Sequence, residues 1–267
     1  MALAPTIPGL VLLSFILSIQ LFIGIFLGYK TVKSRTKEVA YLSAFNIMVG
    51  VTFLLHNLMT FFDEEIWSYL FMIFTFIAQL LIIVFVKKVF YKQNKSPFLI
   101  ILIISCVDFI IAIILSIVSP SYTQLAFLMS IIFTLLYTFD HIISGYWFGY
   151  ISIKHYYKYK NTFIEPWIRK RYLVAGISAL AFGNLGFPGL ISVLGLLSGS
   201  FKPMLHDLTF LIRSILMIIY SVGSLIAWFM PKRLKIYFNK GYASIEAQEF
   251  SEEEIYKDIK SQIKEEE

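Results

Sequence analysis

The chain has 267 residues, of which 58% are hydrophobic and only 15% charged, and its mean hydropathy is +0.76. A water-soluble domain is about a quarter charged, so this composition excludes one. The single cysteine, Cys106, excludes an intrachain disulfide and any cysteine-based metal motif.

A membrane crossing needs about 20 apolar residues at 1.5 Å rise. Seven stretches qualify: Pro8–Tyr29, Val39–Phe62, Ile66–Val86, Pro97–Val118, Leu125–Ile153, Arg171–Ser198 and Leu208–Met230. The expected fold is therefore all-α, a polytopic seven-transmembrane helix bundle over residues 1–241. Residues 1–10 contain no Lys or Arg. They lack the basic region of a cleavable signal peptide, and the first crossing is expected to be retained.

Every second gap between these stretches is basic. Lys30–Lys37, Lys87–Lys95, Lys154–Arg171 and Lys232–Lys240 hold four, four, six and four basic residues, 18 of the 23 in the chain. The gaps Asp63–Glu65, Ser119–Gln124 and Gly199–Asp207 hold only Lys202. Cytoplasmic loops carry the excess of Lys and Arg. The alternation predicts an amino terminus outside, a carboxyl terminus in the cytoplasm, and a cell-membrane location. The sequon at Asn94-Lys95-Ser96 then lies on the cytoplasmic side, away from glycosylation.

Trp67 and Tyr69 at the outer ends, and Tyr146, Trp147, Tyr150, Trp167, Tyr172, Trp228 and Tyr237 toward the inner ends, read as interfacial anchors. The fifth stretch can continue as helix through Lys154–Lys160, with Glu165-Pro166 resetting the chain. Residues 231–241 are basic and aromatic; they read as an interfacial segment or as a plain flank that stops transfer. The tail, 242–267, is acidic. From Ser244 it has nine acidic and three basic residues, which leaves +12 on the rest. Ser251-Glu252-Glu253-Glu254 resembles a capping box, and Ile255, Ile259 and Ile263 recur at i+4, as in a short amphipathic helix. In isolation a helix this short frays. The basic inner surface suits anionic lipid, so the expected partners are the bilayer and a cytoplasmic signalling protein, not nucleic acid. An oligomer is compatible with the sequence.

Ionisable groups within apolar stretches are costly and face a bundle interior or cavity. The polar site is expected to comprise His56, Asn57, Gln79, Asp108, Asp140, Asn184 and Arg213. By helical rise, Asp108 lies near the midplane, Asp140 slightly inward, and His56 and Arg213 about 8–9 Å outward. Asp108 is the nearest candidate acceptor for Arg213. That pair reads either as a structural ion pair or as part of a site. Small and polar residues recur at helical spacing beside these groups: Ser105, Asp108 and Ala112, and Tyr137, Asp140 and Ser144. Such stripes also serve plain helix packing. Gly183-Asn184-Leu185-Gly186-Phe187-Pro188-Gly189 predicts a kink, because Pro188 cannot donate to the Asn184 carbonyl; Pro188 is the candidate hinge. The scattered histidines match no zinc spacing, so no metal or cofactor is expected.

The layout over Pro8–Phe238 resembles that of seven-transmembrane receptors and sensors: amino terminus outside, seven helices, a kinked sixth, and a basic segment after the seventh. The motifs of those families are absent. The third stretch ends Val86-Lys87-Lys88 instead of in an acidic-Arg-aromatic triplet, and the seventh has no Asn-Pro. No lysine lies between Lys202 and Lys232 to hold retinal. The resemblance implies a receptor-like or sensory protein with a ligand in an outward-facing cavity lined by His56, Asn57, Asp108, Asn184 and Arg213. The alternative is a small-solute or proton-coupled transporter using Asp108 and Asp140. A third reading is a lipid-active intramembrane enzyme, for which no catalytic residues stand out.

Overall fold

The computed structural model describes residues 7–34, 37–61, 65–91, 96–118, 123–160, 164–191 and 203–240, and these form helices with no strand among them. In order they are α1 (Ile7–Ser34), α2 (Lys37–Phe61), α3 (Glu65–Phe90), α4 (Phe98–Val118), α5 (Thr123–Lys158) and α6 (Pro166–Gly183). A 3-10 turn at Asn184–Gly186 follows, and helix resumes at 187–191 as α7. The chain ends in α8 (Pro203–Phe229) and α9 (Lys232–Phe238). The predicted tail helix around Ile255, Ile259 and Ile263, the end of the sixth stretch from 192 and the Asn94 sequon lie outside the described residues, and so does the Asn57 side chain.

Six segments are long and apolar enough to cross a bilayer: Ser14–Lys33, Lys37–His56, Tyr69–Phe90, Phe98–Leu115, Pro166–Ile191 and Leu211–Phe229. The protein is a helical membrane protein. Helix α5 is not in this set, and its middle carries Asp140, His141, Ser144 and Gly145. Its 36 residues nevertheless span about 54 Å at helical rise.

The helices pack in a ring. Each of α1 to α5 lies against the next, α6 packs on α5 and α8, and α8 returns to α1. Helix α3 also touches α5 directly, which leaves α4 outside the ring. The sequence of α4 fits that position. Leu99, Ile103, Val107, Ile110, Ile114 and Ile117 are exposed, whereas Ser105, Asp108 and Ala112 are buried. The aliphatic face needs a lipid solvent, and the polar stripe turns inward.

Across the ring, Phe45 of α2 meets Phe182 of α6 and Tyr220 of α8 edge-on, with centroids 5.6 and 6.2 Å apart. The Gln20 amide of α1 donates to Ser221 Oγ of α8 at 2.6 Å, and the Tyr220 hydroxyl donates to Asn46 Oδ1 at 3.4 Å. In lipid such cross-helix bonds and tight packing replace the hydrophobic drive that water would supply.

Glycines bring α5 and α6 together. Gly145 and Gly149 are four residues apart on α5 and face Gly176 and Gly183 of α6. A Cβ on Gly145 would sit 2.4 Å from the Gly183 Cα. Only hydrogen atoms fit there, as in other small-xxx-small contacts.

One helix end differs from the sequence reading and another agrees with it. Helix α6 begins at Pro166 rather than Arg171, because Glu165 is extended (φ −50°, ψ 133°) and proline at the first position is already set for helix. Helix α5 continues to Lys158, so the projected extension forms. Helix α9 is latched to the start of α6: the Trp167 backbone N–H donates to Asn239 Oδ1 at 3.2 Å, and Asn239 Nδ2 donates to Glu165 Oε2 at 3.2 Å.

His155, in the α5 extension, lies among Phe90, Tyr159 and Tyr172, with ring centroids 4.9 to 5.9 Å away. Burial pushes its pKa below the ordinary 6.5; a hydrogen bond to the Ile151 carbonyl opposes this, and Lys158 and Lys154 add to it. Below pH 6.5 the unfolded chain therefore binds a proton that the folded chain refuses, so stability falls as pH drops toward the lowered value. The melting temperature should decline between pH 7.5 and 5.5, and His155→Phe should flatten that slope. An unchanged slope would show that His155 does not titrate this way.

Candidate functional site

Helices α3, α4 and α5 line a cavity of about 50 Å³ that includes Gln79, Asp108, Tyr137, Asp140 and His141 in its lining. Each polar group arrives on the inward stripe of its helix. Gln79 comes from the middle of α3 and is buried. Its Nε2 donates to the Asp140 backbone carbonyl at 2.6 Å. Ser144 Oγ, one turn along α5, donates to the same carbonyl at 2.9 Å. Ser105 Oγ of α4 donates to Asp140 Oδ1 at 3.0 Å. Asp140 is thus held from three helices, on both its side chain and its backbone.

Asp108 lies one turn beyond Ser105 on α4, at 8% exposure. Its carboxyl group and that of Asp140 are hydrogen-bonding neighbours. Two carboxyl groups can hydrogen-bond only when one supplies an O–H, so their contact requires at least one proton on the pair. The second oxygen, Asp108 Oδ2, is buried with no partner. Phe76 of α3 and Phe109 of α4 stack at 4.0 Å with planes 2° apart and form an aromatic wall.

The expected pairing of Asp108 with Arg213 does not form. Helices α4 and α8 are not neighbours in the ring, and Asp108 turns to Asp140 instead. Arg213 lies within electrostatic reach of His56, Tyr137 and His141. Its guanidinium lies against Gly189, where an added Cβ would meet Arg213 Nη2 at 3.0 Å. Its Nε is buried without a partner. Among the described residues it pairs with no carboxylate.

The remaining predicted residues separate. The His56 residue is exposed, with its ring 6.0 Å from Phe71. Asn184 lies in the broken segment and accepts a hydrogen bond from the Tyr146 hydroxyl at 2.7 Å, remote from the carboxyl pair. Its backbone carbonyl, expected to be freed by Pro188, is taken by the Phe187 N–H in a 3-10 bond. Thr138 Oγ1 donates to the Gly186 carbonyl at 3.0 Å and steadies the break from α5. The structure therefore joins Gln79, Asp108 and Asp140 and leaves His56, Asn184 and Arg213 outside their cavity.

Ser105 and Tyr137 belong to the site although they were read only as packing positions. Their place on the Asp108 and Asp140 stripes was the available signal. Among the described residues no group of three or more His, Cys, Asp or Glu could hold a metal ion.

Comparison with known proteins found no family model, no curated protein and no solved structure that matches this chain.

Proposed function

We propose that the chain is a receptor-like or sensory seven-transmembrane protein of the cell membrane. Helix α5 is the seventh crossing and the amino terminus lies outside. The observation that carries this reading is a small cavity in which Gln79, Asp108 and Asp140 meet among largely apolar walls. Toward the basic end of the bundle, Ile82, Ile83, Phe85 and Val86 of α3, one to two turns beyond Gln79, and Phe148 of α5, two turns beyond Asp140, are buried apolar side chains. A chamber bounded by buried apolar side chains on its basic side can register a ligand; conduction needs a path that continues. The break at Asn184–Gly186 is tied to α5 through Thr138, three residues before His141 and two before Asp140. Occupancy of the cavity would thereby reach the hinge at Pro188, and then the basic inner surface, where a cytoplasmic partner would read it.

The test is reconstitution in sealed liposomes. The expected result is no flux of protons or small solutes, with an externally added ligand binding in a manner that depends on Asp108 and Asp140. Flux that Asp108→Asn abolishes would establish the transporter instead. The observation favouring that second reading is the close approach of the two carboxyl groups, which a proton relay could use. Labelling single cysteines in the 62–64 and 92–95 connections of a Cys106→Ser background tests topology. External reagent should reach the first and not the second.

A further inference from the structure

We infer that the Asp108–Asp140 cavity is a binding site for a small ammonium-type cation, of the size of ammonium or methylammonium. This deepens the reading of the cavity as a ligand chamber and rests on it.

The argument begins with charge. With a single proton on it, the carboxyl pair carries one net negative charge, which matches a monovalent cation. Asp108 is more than nine-tenths buried, lines the cavity, and has its Oδ2 without a partner. An unpartnered buried carboxylate oxygen is expensive, and a donor that fills the cavity removes that cost. The cavity lining itself contains no Lys or Arg. Arg213 is felt at Tyr137 and His141, on the α5 side of that lining, and stands outside it.

Size comes next. A cavity of about 150 Å³ accepts benzene. The 50 Å³ here is a third of that, room for roughly two heavy atoms. Wall chemistry then separates organic from metal cations. Phe71, Phe76, Phe109 and Tyr137 are in the lining, and aromatic rings attract ammonium groups. A hard metal cation wants about six oxygen ligands. Here Asp140 Oδ1 is already engaged by Ser105, and the Asp140 carbonyl by Gln79 and Ser144.

The test uses the full chain in lipid nanodiscs, with thermal unfolding followed as salt is varied at constant chloride. Ammonium and methylammonium chloride should raise the melting temperature saturably; sodium and tetramethylammonium chloride should not. Asp108→Asn, nearly isosteric, should weaken apparent affinity at least tenfold. Should that variant fail to fold, Ala112→Val keeps both carboxyl groups and adds two methyls to the cavity wall; it should abolish the response. An equal response to sodium, a response that survives both variants, or no response overturns the proposal. If neutral methanol stabilises as well as methylammonium, the chamber stands and the cation assignment falls. If methylammonium binds and also enters sealed proteoliposomes, the cation site stands and the sensory reading falls.

Discussion

Gly145→Val will prevent the bundle from closing. The Gly145 position meets backbone, not a movable side chain: a Cβ there would lie 2.4 Å from both the Cα and the N of Gly183. Relief requires α5 and α6 to part along their shared face, which also carries Gly149 and Gly176. Overpacking a well-filled contact costs about 1–3 kcal/mol where side chains can yield, and here they cannot. The expected loss is about 3 kcal/mol or more, a fall of roughly 6–12 °C in melting temperature for a domain of this size. Size-exclusion profiles of the detergent-solubilised protein should show aggregate in place of a single peak. Gly28→Ala serves as the control, since its Cβ would meet only the Ser43 hydroxyl at 3.1 Å and should cost far less. A monodisperse Gly145→Val protein with an unchanged melting temperature would show that α5 and α6 do not pack this closely.

The second large effect has the opposite sign. Arg213→Met should stabilise the protein. An arginine near the centre of a crossing costs about 2.5–3.5 kcal/mol on insertion scales. Arg213 stands outward of the centre, so its cost is lower. Its Nε has no partner, and among the described residues no carboxylate neutralises it. Methionine preserves much of the length and adapts to an irregular site. A gain of about 1–2 kcal/mol is expected, or roughly 3–6 °C. Melting curves of the two proteins in identical nanodiscs decide the matter. A fall of several degrees would mean that Arg213 is paired in the membrane-embedded protein. A residue that lowers stability where it stands points to a role other than folding, and under the proposed sensory function its loss should be felt in signalling.

The helices were legible because their signal is additive: about 20 apolar residues in a row leave few alternatives. The α4 stripe was legible for a related reason, since the spacing of Ser105, Asp108 and Ala112 identifies one helix face without reference to any neighbour. Neighbour order was not legible. Depth placed Asp108 close enough to Arg213 to pair, but depth is one coordinate of three. The ring sets α4 against α3 and α5 and away from α8, so Asp108 found Asp140. The break at Pro188 was visible in composition, whereas the fate of the Asn184 carbonyl depended on a turn geometry that composition does not encode. The Gly145–Gly149 spacing was present in the sequence. Its weight came from two glycines on another helix, Gly176 and Gly183, whose alignment with it only the fold supplies.

Helix α4 stands outside the ring, with one face on the carboxyl chamber and the other on acyl chains. The chamber thus has a wall only one helix thick between it and the surrounding lipid. Changes in acyl-chain order or membrane tension bear on that wall directly, without passing through the ring. Under the proposed function, the affinity for a ligand in the chamber is accordingly a property of the membrane as well as of the chain. The same purified protein should bind differently in thin fluid bilayers and in thick ordered ones.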